Sequence, residues 1–458
     1  MSRNNSEINL ESLHSKEKPT LTPSQALESL PTLASISYLH NAKLTLSELK
    51  KGFDLSDATK IDTAVIDYLF ATHYLEQPSP GYLVTSKDHP LAEIESDLLS
   101  TTFTNLNLLG ALVHPKSPAT LTDLDHFFNS LTLTDSQYLN AAYLTPLLGF
   151  FFRKANAANL SPQAYLDSQV LSTPDSSILA YLKSINFLTK DLQSSVLGQI
   201  LFLRQPLPGF VQLSHSYPDY YLNLNRLAKN PSLAGFAKEI DRWQPDNALA
   251  SNWLIKNSAP KIAAKLVGFD TILDFGSGGG HFLHELRDSA HHLIGFDLSE
   301  DANNEAKALF DDNGNSHMLT TIHGNLLSSP DLAAAASHQP QAATINYILH
   351  DIAGIATHRE AGIQIVRNFL ANFRYFFPNA PLFISESYDT DRYQQRADDN
   401  SAAAVFHFIH GISPQFLLDR EELISLLHQT GFQVDETEEI VHRLHKDGSV
   451  ANSTLIAR

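Results

Sequence analysis

Hydrophobic positions recur at two different periods along this chain, and the change between them divides it. Over residues 25–40, Leu27, Leu30, Leu33, Ile36 and Leu39 share one helical face. Thr45 to Glu48 reads TLSE, a capping box that opens a short second helix. A third helical face carries Ile61, Val65, Ile66, Leu69 and Phe70. Pro78, Pro80 and Gly81 then turn the chain between two short strand-like pieces. Three helices and a hairpin form a winged-helix pattern, which assigns residues 25–90 to one region. Residues 1–24 are polar, lack the apolar core of a secretory signal, and are expected to be a disordered leader. Residues 91–249 read as a mainly helical middle region or lid, broken at HPKSPAT, STPDSS and RQPLPG.

From about residue 250 the period changes. Strand-like runs at 271–275, 292–297, 318–323, 342–348 and 381–387 alternate with helical stretches, which is the pattern of a parallel sheet with crossover helices. One of those helices, running to about Phe373, is expected to open on a capping box from Thr357 to Glu360. The closing FQVDETEEIVHRL, a turn at Lys446, Asp447 and Gly448, and SVANSTLIAR predict a terminal hairpin. The expected fold is therefore α/β: a Rossmann-like, mostly parallel seven-stranded sheet with a terminal antiparallel hairpin over 250–458, preceded by a mainly helical, winged-helix-containing domain.

Composition narrows the class. At 458 residues the chain is long enough for two or three domains, and 43% hydrophobic content supports a sizeable core. Its apolar run LLGFFF is far too short to span a membrane. With no cysteine, disulfides and thiolate chemistry are excluded. A cytoplasmic protein is expected. The net charge of −18 and the lack of any Lys/Arg cluster argue against nucleic acid as a partner, because that affinity rests on neutralising phosphates.

The chemistry begins at TILDFGSGGGHFLHEL. Asp274 precedes Gly276, Gly278 and Gly280 between a strand-like run and a helical one, where side chains would collide with a closely bound ligand. A dinucleotide fingerprint would need its third glycine at position 281, which is His281. An acid at the strand end suits an ammonium group and would repel a pyrophosphate, which favours S-adenosylmethionine. Asp297 closes the second strand-like run, where a carboxylate can accept both ribose hydroxyls. Asn325 follows the third and can offer its amide to an adenine edge. Leu298 and Asn346, at the ends of the second and fourth runs, complete the candidate cofactor set. Taken singly, these residues also fit a tight loop and a helix cap; three strand-end features in order favour the cofactor.

With these residues the chain resembles the class I S-adenosylmethionine-dependent methyltransferases. Through the winged-helix pattern and NYILHDI (Asn346 to Ile352) it resembles more narrowly the small-molecule O-methyltransferases of the plant caffeic-acid and bacterial polyketide-tailoring type. The likeness is clear over 250–458 and weak over 25–90, and the stretch between them is longer than that family usually needs. It implies methylation of a small aromatic or keto-enol acceptor in secondary metabolism and a homodimer formed through the winged helix. It further implies His350 as general base, with Glu386 in LFISES orienting it. Asp351 completes the His-Asp pair as a substrate-side residue or a cap. Three departures stand out: Ile352 replaces the family's tryptophan, Leu417 replaces a second framing acid, and GISPQFLL replaces a glycine-rich polar loop.

His407 and His410 in VFHFIHG lie three apart on one helical face. Pocket lining or helix packing is one reading, and the resemblance places His410 on the acceptor wall. The other is a metal site with His350, as in relatives that C-methylate α-keto acids. Of the remaining histidines, His281 is a candidate lining residue of the cofactor pocket, and His284, His291 and His292 are expected on the solvated surface. SYPDYY (Ser216 to Tyr221) and GFFFRK are candidate lining segments, with core packing the alternative for the phenylalanines. A silent cofactor-binding regulator is the competing reading from outside enzymology, weakened by the acidic residues in LSELKKGFDLSD.

Overall fold

The apolar runs that follow residue 250 assemble into one sheet in the computed structural model of the chain. The structure describes residues 23–41, 60–72, 74–79, 82–85, 89, 91, 94, 96–134, 136–172, 176–189, 195, 207–235, 238–256, 258–356, 358–388, 401–444 and 448–458. Residues 1–22 of the expected leader, the helix expected at TLSE and the segment LSELKKGFDLSD lie outside the described residues, as do Pro80, Gly81, Thr357, Lys446 and Asp447.

Strands β1 (Leu75–Ser79) and β2 (Tyr82–Thr85) pair as an antiparallel hairpin. The large sheet holds β3 (Thr271–Phe275), β4 (His292–Asp297), β5 (Leu319–His323), β6 (Ala342–Asn346), β7 (Leu382–Ser387), β8 (Ile440–Leu444) and β9 (Val450–Ala457). Their order is β5-β4-β3-β6-β7-β9-β8. The first five are parallel, and β9 runs antiparallel between β7 and β8. β4 lies on one side of β3 and β6 on the other, so the winding reverses there and opens a crevice beyond the carboxyl ends of the strands.

The central strands read as continuous apolar runs because both faces are covered. Successive residues point to opposite sides. Leu273, Ile294, Ala343, Ile345, Leu382 and Leu455 enter one core, while Ile272, Leu293, Ala342, Phe383 and Ile456 enter the other. The helix Arg359–Phe376 closes the first face with Val366, Phe369, Leu370 and Phe373 at helical spacing.

The helices before residue 250 share a separate core, and one later element joins them. The helix Ser401–Ile412, which follows β7, sends Val405, Phe408, Ile409 and Ile412 into that core with Leu27, Leu30, Val65 and Leu69. It packs on the helix Lys60–Ala71, where Phe408 stacks on Tyr68 with centroids 4.4 Å apart. Gly411 permits the approach: a Cβ there would fall 2.5 Å from that of Ala64. Phe150, Phe151 and Phe152 of GFFFRK are core residues, and Arg153 forms a 2.6 Å ion pair with the buried Asp246, which also accepts from Gln212. Among the described residues, no helix is long and apolar enough to cross a membrane.

Three local expectations are corrected. The fourth strand ends at Asn346, because Tyr347 adopts φ 57°, which breaks the ladder, and His350 therefore sits on the short helix Leu349–Ala353. The helix expected to be capped from Thr357 is capped by His358, whose ring accepts the Ala361 N–H. Of the histidines expected on the surface only His291 is fully solvated; His284 packs edge-on against Phe310, and His292 bonds Thr320 across β4 and β5.

Candidate active site

At one end of the crevice, β3 delivers Asp274 into the interior. Thr344 Oγ1 donates to its Oδ1 at 2.6 Å and Asn346 Nδ2 at 3.1 Å. Burial pushes this carboxyl up to about 7 against the pull of those two donors, and Asp297 adds to the rise. Gly276, Gly278 and Gly280 all have positive φ, so the turn demands glycine's freedom. A Cβ at Gly276 or Gly280 would strike Ile348 or Ala306 within 3 Å, whereas at Gly278 it would meet nothing within 4 Å. Gly278 is thus where the loop leaves room for a ligand.

Asp297, half-buried, accepts the Gly278 N–H at 2.8 Å and the Ser299 N–H at 2.8 Å, which ties the second strand end to the glycine turn. Leu298 beside it is 58% exposed, an apolar surface at the rim. Asn325 is exposed, and its Oδ1 accepts the Leu327 N–H. The Oδ1 of Asn346 is buried without a hydrogen-bond partner, an acceptor at the same edge that a bound donor would satisfy.

The other end is built around His350. Its Nδ1 lies 2.8 Å from Oε1 of Glu386, which is wholly buried at the end of β7, and its backbone N–H reaches Oε2 at 3.4 Å. Burial works against protonation of His350, but Glu386 overrides it and Asp351 adds to the effect, so its pKa lies above that of an ordinary histidine. Asp351 takes both guanidinium nitrogens of Arg242 at 2.8 Å each and the amide of Gln415. Burial alone would raise the Asp351 pKa, but Arg242 holds it well below the usual carboxylate range. The Oε1 of Gln415 accepts from Ser413 Oγ at 2.7 Å and from Tyr217 Oη at 3.3 Å.

The helix Ser401–Ile412 brings His410 to this end. Its ring stands 4.8 Å from that of His350 at 77°, and its Nδ1 bonds the Phe406 carbonyl at 2.7 Å. His407, half-buried, meets the Phe406 ring edge-on. Among the described residues, no group of three His, Asp or Glu side chains is placed to hold a metal ion. Ile352 and Leu417, at the two positions where the sequence departs from the resembling family, are both buried.

Residues 234–437 match the family model described as a methyltransferase domain. These residues are a methyltransferase domain, and its cofactor is S-adenosylmethionine. No curated protein sequence matches it. Solved structures similar to this methyltransferase include an O-methyltransferase family protein from Burkholderia thailandensis, 13% identical, which covers 70% of this chain and 92% of its own at a TM-score of 0.43. The mitomycin 7-O-methyltransferase MmcR is 15% identical, covering 78% and 94% at a TM-score of 0.45. A Burkholderia thailandensis 1,6-didemethyltoxoflavin-N1-methyltransferase with bound S-adenosylhomocysteine is 17% identical, covering 44% and 77% at 0.30.

The methyltransferase thus gathers Asp274, the three glycines, Asp297 and Asn346 at one end and His350, Glu386, Asp351 and His410 at the other. Sequence reasoning missed Arg242 and the part played by Gln415. Gln415 stood in GISPQFLL, read only as a departure from the family loop. Tyr217 lies within the candidate lining segment SYPDYY, but nothing in the sequence pairs it with Gln415, and Arg242 carries no signal at all.

Proposed function

We propose that this methyltransferase O-methylates a small aromatic or keto-enol acceptor in secondary metabolism, with His350 as general base and Glu386 as the carboxylate that orients it. The bond of 2.8 Å between His350 Nδ1 and the buried Glu386 carries this reading. S-adenosylmethionine supplies an electrophilic methyl group on a sulfonium. The glycine turn, Asp297, Leu298 and Asn325 suit its adenosine part, and the buried acid Asp274 and the unpartnered Asn346 oxygen suit its amino-acid part. With the Nδ1 proton directed at Glu386, the neutral ring carries its lone pair on Nε2, the atom that takes the acceptor's proton. His410, beside that ring, belongs to the acceptor wall, and His407 lies one turn away on the same helix.

The same reading makes 25–90 a winged-helix dimerisation region and 91–249 the lid, in a cytoplasmic homodimer whose acceptor is neither nucleic acid nor membrane lipid. The family resemblance and the net charge of −18 support it. The test is a screen of phenolic and enolic acceptors followed by His350→Ala with the best of them. We expect turnover to fall by about 10²–10⁴-fold with S-adenosylmethionine affinity unchanged. Turnover that persists in His350→Ala would remove the base.

A further inference from the structure

Two carboxylates stand near the His350 imidazole, and only one of them bonds to it. Glu386 on β7 reaches Nδ1 at 2.8 Å, while Asp351 Oδ1, one residue along the same short helix, stops 4.0 Å from Nε2. Among the described residues, the other charged or titratable groups that face the ring are His410 from the helix Ser401–Ile412 and Arg242 from the segment before the helix Gln244–Ile255. Asp351 is fully engaged elsewhere. Its Oδ1 receives Arg242 Nη1 and the Gln415 amide, and its Oδ2 receives Arg242 Nη2. The Gln415 oxygen accepts from two hydroxyls, Ser413 and Tyr217, which turns its NH2 toward Asp351.

We propose that Arg242 is a positioning residue for the transfer site: its two parallel hydrogen bonds hold the Asp351 carboxylate off His350, leaving the imidazole bonded to Glu386 and not to Asp351. A guanidinium fork can occupy both oxygens at once, which a lysine ammonium cannot. A carboxylate released toward Nε2 would bind the proton on the nitrogen that must be vacant for a base to act. Arg242 and Tyr217 belong to the region before the sheet, so the seating of that region on the sheet sets the protonation state of a histidine in the other half. This rests on the proposed base role for His350 only where it touches catalysis; the effect on the imidazole itself stands apart from turnover.

The experiment is an NMR titration of the His350 ring, assigned by its absence from His350→Gln, in the full chain and in Arg242→Gln, Arg242→Lys, Asp351→Asn and Arg242→Lys/Asp351→Asn. We expect Arg242→Gln to raise the midpoint by about one pH unit. Arg242→Lys keeps the charge and the fold but opens the fork, and should raise it by a smaller amount. Asp351→Asn should lower it, and adding Arg242→Lys to Asp351→Asn should then change nothing. A midpoint unmoved or lowered in Arg242→Lys, or a lysine effect that survives in Asp351→Asn, would overturn the proposal. The acidic limb of the methyl-transfer rate, measured on the same variants, separates the two ideas. If the ring midpoint moves and the limb does not follow, Arg242 keeps its role and His350 loses its place as the base.

Discussion

The two ends of the crevice, proposed above as the cofactor end and the acceptor end, are built by opposite means. Asp274, the glycine turn and Asp297 lie within one β-α-β stretch, locked together by backbone N–H groups: Gly276 donates to the Phe296 carbonyl and Gly278 to the Asp297 carboxylate. The proposed acceptor end draws Tyr217, Arg242, His350, Glu386, His410 and Gln415 from segments far apart in sequence, joined mainly through their side chains. A site of the first kind tolerates change elsewhere in the chain. One of the second kind depends on how two cores dock, so the two ends should respond differently to the same insult.

Asp246 offers the largest test of that difference. It is wholly buried on the helix Gln244–Ile255, just after Arg242 and Trp243, paired with Arg153 and held by Gln212. Asp246→Ala leaves a guanidinium without its partner, which should cost about 3–5 kcal/mol of stability in denaturant titration. Because the loss falls beside Arg242, the acceptor KM should rise while S-adenosylmethionine affinity stays within a factor of about two. An equal loss of cofactor affinity would mean that the two ends are not separately built.

Two glycines sharpen the contrast within the cofactor end. Gly278 has φ 51° and open space where a Cβ would stand; Gly280 has φ 75°, and its Cβ would lie 2.8 Å from that of Ala306. Alanine at either position carries the left-handed cost of about 1–2 kcal/mol. Gly280→Ala must also push the helix Glu300–Asp312, which carries Ala306, so it should lower Tm further than Gly278→Ala does. Gly278→Ala fills the space a ligand needs and should weaken cofactor binding further, by about tenfold or more in calorimetry. If the two effects fall on the opposite residues, the ligand does not approach at Gly278.

The same division explains what the sequence discloses. Strands β3 to β7 are legible because residues covered on both faces must be apolar, and the strand ends then put Asp274, Asp297 and Asn346 on one edge. The first and third helices of the winged-helix pattern are legible from the spacing of Leu27 to Leu39 and of Ile61 to Leu69. The path of the helix Ser401–Ile412 is not: its apolar surface announces burial but not which core receives it. Arg242 is illegible for a similar reason, since a lone arginine among polar neighbours looks solvated until the fold brings Asp351, 109 residues away, against it.

The smallest effect concerns a proton at the cofactor end. Asp274 is pushed up to about 7 by burial, so near neutral pH the protein without ligand holds it partly protonated. An ammonium group brought to that edge favours the ionised carboxylate and must displace the proton. S-adenosylmethionine affinity should therefore rise as pH rises through about 7 and fall by up to about tenfold per unit below it. Calorimetry in buffers of differing ionisation enthalpy should register proton release. Thr344→Val removes a hydroxyl that favours the charged form, so the inflection should move to higher pH. The acceptor end makes no matching demand on this binding step, so Glu386→Gln should leave the curve where it is. A flat affinity across that range would mean that Asp274 serves only to tie β3 to β6, and that the amino group of the cofactor is held by something else.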